Sequence, residues 1–151
     1  MILDPAVARD SMASLLASAW AAYPWASIGL QKAPTIQWQG RDGNLPPTVT
    51  EPYLIWAANH NGAPQKGLSD EIGNRLYEGH GLLVMQAKAP LLPGTGFEVA
   101  ERMAIIARNA YRGKQTPDCI WFRNARFEEV GADTGWYLFN IYVEFEYDEV
   151  G

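Results

Sequence analysis

The chain has 151 residues, 48% apolar and 19% charged, which is the composition of a folded domain and not of a disordered segment. Twelve basic against 17 acidic residues give a formal charge of −5, so a general attraction to nucleic-acid phosphate is ruled against. The single cysteine, Cys119, excludes an internal disulfide, and the length predicts one domain, 1–151.

Asp4-Pro5 predicts a helix start, since Asp caps free amides and Pro fits the first turn. Ala8, Met12, Leu15, Leu16, Ala19, Trp20 and Tyr23 then recur at helical spacing, and Pro24 ends the run. The opposite side lacks the lysines and arginines of a membrane-surface helix, so the stripe reads as core or as packing on a neighbour. No apolar run reaches the ~18 residues of a membrane span. Asp4 and Arg9 interrupt what a signal peptide would need, so the protein is expected to stay where it is made.

Thr35-Ile36-Gln37-Trp38 alternates like a short strand, and Arg41 to Pro47 reads as a turn-rich loop. A second strand is expected at Tyr53 to Ala58, then a long polar loop from Asn59 to Asn74 suited to contacts with other molecules. A third strand runs from Leu76 to Lys88. Gly79 and Gly81 inside it mark a bulge or a close approach of another backbone. Pro90 and Pro93 introduce a second helix, where Thr95 and Glu98 fit a capping box. Its inner stripe is Val99, Met103, Ile106, Ala107 and Ala110, and Gly113 is its stop. Cys119 to Phe122 reads as a strand reaching toward Phe127, with Cys119 a small buried hydrophobe.

The last strand is the clearest. Tyr137, Phe139, Ile141, Val143, Phe145 and Tyr147 share one face, predicted to pack on the second helix. The order is α-β-β-β-α-β-β. It predicts an α+β fold, a mainly antiparallel sheet of about five strands with two helices packed on it.

Motifs of chemistry are few. Gly94-Thr95-Gly96 lacks the third glycine of a dinucleotide turn, because Val99 stands there. No phosphate-binding lysine follows it, so the segment reads as a helix cap. His60 and His80 lack metal-ligand spacing, and Cys119 lies in an apolar run that does not activate a thiol. Glu128-Glu129 and Glu144/Glu146 read as solvated faces. The expectation is a non-enzymatic protein with no catalytic, cofactor or metal residues.

Charge placement says more. From Arg102 to Arg126 there are six bases (Arg102, Arg108, Arg112, Lys114, Arg123, Arg126) and one acid, Asp118. From Phe127 onward there are seven acids and no base. One reading is neutralisation within the chain, between neighbouring strands. The sharper expectation is a head-to-tail contact, in which Arg108, Arg112, Arg123 and Arg126 meet Glu144, Glu146 and Asp148 of the next subunit.

The amphipathic first helix and the extended Glu51-Pro52-Tyr53-Leu54 are followed by Asn74-Arg75-Leu76-Tyr77-Glu78-Gly79-His80-Gly81 and its apolar continuation. Then come Pro93-Gly94-Thr95-Gly96 leading into Ala100-Glu101-Arg102-Met103, and finally Gly135-Trp136-Tyr137 opening an aromatic and acidic strand. In this order the chain resembles the tail terminator proteins of long-tailed bacteriophages, prophages and gene-transfer particles. The segment Lys88 to Pro93 departs from the tight strand-to-helix turn of that family.

The resemblance implies a virion protein of the tail neck, assembled in the bacterial cytoplasm. It implies a ring, typically sixfold, that stops tail-tube polymerisation and joins the tube to a head connector while DNA passes through the hole. The implied partners are copies of itself, the tail tube protein and a head-completion or connector protein, with no cofactor. Competing expectations are another neck component, such as a head-completion or tail-completion protein, and a small enzyme or ligand-binding domain.

Overall fold

The computed structural model describes residues 4–39, 51–62, 76–91, 94–117 and 119–150. The first helix, α1 (Pro5–Ala22), starts as its sequence dictates: the Asp4 carboxylate accepts the Val7 amide at 2.8 Å, and Pro5 occupies the first turn. Ala8, Met12, Leu16 and Trp20 are its buried stripe. A 3-10 turn at Trp25–Ile28 follows. Two indoles pin this corner. Trp20 donates to the Pro34 carbonyl and Trp25 to the Trp20 carbonyl, each at 2.8 Å.

Five strands form one sheet: β1 (Thr35–Trp38), β2 (Tyr53–Gly62), β3 (Leu76–Pro90), β4 (Trp121–Asp133) and β5 (Trp136–Val150). Their spatial order is β1-β2-β3-β5-β4, with β1 and β2 parallel and the other three pairs antiparallel. The second helix, α2 (Gly96–Tyr111), joins β3 to β4 and packs on β3, β5 and β4, with α1 beside it. This is the α+β fold expected from the sequence.

One face of the sheet is the core. Leu54 and Trp56 of β2, Leu83, Met85 and Ala87 of β3, and Phe139, Ile141, Val143, Phe145 and Tyr147 of β5 are all buried there. Val99, Met103 and Ile106 of α2 belong to the same cluster, while Tyr137 is only partly covered. Burying each such side chain contributes about 1.5–3 kcal/mol.

A buried polar chain ties three elements together. The Trp56 indole donates to the Tyr111 hydroxyl at 3.0 Å, and that hydroxyl donates to the Met12 carbonyl at 2.7 Å. Burial raises the Tyr111 pKa far above the ordinary phenol range, so the group is a neutral donor at every working pH.

Several boundaries differ from the sequence reading. β2 does not stop at Ala58: Asn59 and His60 pair with Leu82 and Gly81, and the strand reaches Gly62. Likewise β4 continues past Phe127 to Asp133. Cys119 precedes β4 in a turn with φ of +65° and is half-buried. That turn is held by Thr116, whose hydroxyl accepts the Ile120 amide at 3.1 Å. Thr95 is the N-cap of α2, yet its side chain makes no cap bond, because φ −104° and ψ 10° depart from the extended backbone of a capping box. The loop segments at 41–47 and 63–74 lie outside the described residues.

The strand glycines follow from close approach. A Cβ on Gly81 would overlap the Asn59 carbonyl oxygen, and one on Gly79 would enter the Tyr147 ring. The two rings above them, Phe145 and Tyr147, stack 6.4 Å apart and fill the space the missing side chains leave.

Two stability outcomes follow. Tyr111→Phe keeps the ring but leaves the buried Trp56 indole without its acceptor and takes from the Met12 carbonyl the donor it has besides its own helix, and is expected to cost about 1–3 kcal/mol in denaturant melts with an unchanged slope. Gly81→Ala forces backbone apart and is expected to cost about 1–3 kcal/mol or more. A melt matching the wild type would refute the β2–β3 register at Asn59.

Candidate interaction surface

Both helices lie on the core face, so the other face of the sheet is uncovered by any described element. Across it run Ile55 and Ala57 of β2, Leu82, Val84 and Gln86 of β3, Asn140, Tyr142 and Glu144 of β5, and Arg123 and Arg126 of β4. Ile55, Leu82, Val84 and Tyr142 are half-buried, and Trp121 at the end of β4 is 41% exposed. Toward the hairpin end, Tyr53 and Trp136 meet edge-on at 5.4 Å with the Lys88 ammonium against both rings. In the middle, the Gln86 amide donates to Asn140 at 3.0 Å.

Four of the seven charged residues singled out from the sequence come together here. Arg123 donates to Glu146 at 3.0 Å, and Arg126 lies 3.8 Å from Glu144. Arg126 also covers the Tyr142 ring at 5.3 Å, and Asn124 donates to Glu144. These charges therefore pair inside one chain, across neighbouring strands. Exposed pairs of this kind contribute about 0–1 kcal/mol each.

A bulge produces the arrangement. Residues 123 and 126 are three apart and would alternate between faces in a regular strand. The register shift between them, with Asn124 at φ +52°, turns both arginines onto the open face.

The remaining three do not belong to these pairs. Arg108 is on the helix layer with its guanidinium 4.9 Å from the Phe127 ring centre, and Arg112 caps α2 and is exposed. Asp148 sits opposite Glu78 in the β3–β5 register. A shallow depression of about 490 Å³ on the open face gathers Glu78, His80, Arg123, Arg126, Glu144 and Glu146. Among the described residues, no three of His, Cys, Asp and Glu converge as a metal site.

Sequence reasoning missed a second cluster, at the free edge of β2 beyond β1. Gln39 accepts the Ala58 amide at 2.9 Å. Arg9 donates to the Ala58 carbonyl at 3.3 Å and to Gln39 at 3.1 Å. Arg9 also faces His60 Nδ1 at 3.5 Å, while His60 Nε2 lies 3.0 Å from the Tyr147 hydroxyl. A guanidinium only donates, so Nδ1 accepts and Nε2 carries the proton. The signal in sequence was faint: one arginine on an otherwise nearly uncharged helix.

No family model matches the chain, and no curated protein matches it either. Solved structures do: one is 14% identical over 88% of this chain and 93% of its own, with a TM-score of 0.57. At that identity the likeness is one of fold. The chain is an α+β unit with one sheet face covered by its helices and the other covered by no described element.

Burial first, and then Arg9, lower the His60 pKa below its ordinary value. A histidine depressed in the folded state binds fewer protons there than when unfolded, so its contribution is full above about pH 6.5 and is lost on acidification. The thermal midpoint of the wild type should therefore fall more steeply from pH 7.5 to 5 than that of His60→Gln. Parallel curves would remove His60 from the account.

Proposed function

We propose that this chain is a non-enzymatic structural subunit that closes into a ring with copies of itself, of the phage tail terminator type. Such a ring sits at the head-proximal end of the tail tube, halts tube polymerisation and offers the surface for the head connector. The sequence resemblance supports this reading in the order of its motifs, and the α+β fold is compatible with it.

The observation that carries the reading is the sheet face that no described element covers. Ile55, Leu82, Val84, Tyr142 and Trp121 give it apolar surface, which a neighbour can cover. The paired charges at one end give it polarity that fixes register more than affinity.

Electron microscopy of the purified protein tests the reading directly: rings with a central hole are expected. Added to polymerising tail tube protein, these rings should shorten tubes and cap one end. Monomers that leave tube length unchanged would sink the proposal. Rings that bind finished tails without capping tubes would reassign the chain to a neck-completion role.

A further inference from the structure

The helix layer carries a second feature, a groove of about 490 Å³ between α1 and α2. Leu15 and Tyr23 line it from the α1 side, and Ile105 and Ile106 from α2. Its charged lining is Arg102, over the Tyr23 ring at 6.0 Å, and Lys114; among the described residues no carboxylate lines it.

The complement lies on the β4–β5 hairpin. From Phe127 to Gly135 the hairpin has three acids, Glu128, Glu129 and Asp133, and no base. Between them Val130 sits at a bulge, 51% exposed, the most exposed large apolar side chain among the described residues. A bulge turns a side chain out of the ladder, so Val130 is presented outward among acids.

Within one chain the two features face different ways. The hairpin touches α2 through Tyr137, which meets Phe97 edge-on at 5.2 Å, bonds Glu129 and feels Glu101. The groove opens on the other flank of α2, toward α1.

We propose that the hairpin of one copy seats Val130 in the α1–α2 groove of a second copy, with the acidic charge of the hairpin opposite the basic charge of Arg102 and Lys114. The contact is heterologous, so each copy keeps a free groove or hairpin for the next, and repetition gives a ring or an open chain. It rests on the ring-subunit reading and supplies the unlike surfaces such a subunit needs. The apolar insertion holds the pair, and the charges exclude the reversed fit.

A short bis-maleimide tests it in a Cys119→Ser background. One copy carries Val130→Cys and a second carries Ile105→Cys; a control second copy carries Ser27→Cys, which is exposed outside the groove. Circular dichroism first establishes that each variant is folded. The Val130/Ile105 mixture should yield the mixed cross-link several-fold faster than the Val130/Ser27 mixture. Glu128→Lys with Glu129→Lys in the hairpin copy should slow it several-fold, and Arg102→Glu with Lys114→Glu in the groove copy should return the rate. Cross-linking no faster than the control, or indifferent to the charge reversals, would overturn the contact. Wild-type rings in the microscope without this cross-link would leave the ring reading standing and discard the contact. The cross-link with only open chains would keep the contact and discard the closed ring.

Discussion

The architecture depends on one buried hydroxyl. Tyr111, the last residue of α2, accepts from Trp56 in β2 and donates to the Met12 carbonyl in α1. Apolar packing between helices and sheet is tolerant of small slips, because hydrophobic attraction has little direction. A hydrogen bond in a low-dielectric interior is not tolerant, since each unpaired partner costs about 1–3 kcal/mol. One phenol therefore indexes both helices against the sheet. The angle of α1, and with it the groove beside α2 and the reach of Arg9 to β2, all inherit that setting.

With both helices committed to one face, no described element covers the other. The chain equips it unevenly. Aliphatic side chains occupy β2 and β3, while the β4–β5 end carries arginines and glutamates that neutralise one another. Such a surface is not strongly attractive to either sign of charge. Partner choice there is left to shape and apolar contact, with the ion pairs free to rearrange at small cost.

Much of the fold was legible in the sequence because burial imposes a period. The alternation of Phe139, Ile141, Val143 and Phe145 could belong only to a half-buried strand, and the Asp4-Pro5 start of α1 has one physical meaning. The parallel pairing of β1 was not legible, since four residues of alternating pattern carry no direction. The charges show the same limit. Counting bases and acids along the chain suggested two opposed patches. It could not foresee the bulge at Asn124, which brings Arg123 and Arg126 to one face and onto Glu146 and Glu144. Nor could it foresee that Arg9, 49 residues from Ala58 in sequence, would bond that strand.

That last bond bears on how the molecule can associate at all. A strand with free amides and carbonyls is a template for any passing strand, and backbone pairing of that kind is indiscriminate and hard to undo. Where β1 ends, Gln39 and Arg9 occupy the Ala58 amide and carbonyl with side chains. On the opposite side, β4 is interrupted twice by register shifts. The stretch of β2 that β1 leaves uncovered is thus closed to backbone pairing at Ala58, and β4 is a poor template for a passing strand. Two copies that meet at these places can separate again, so any association of the chain through its side chains would stay reversible and could correct its own errors before it sets.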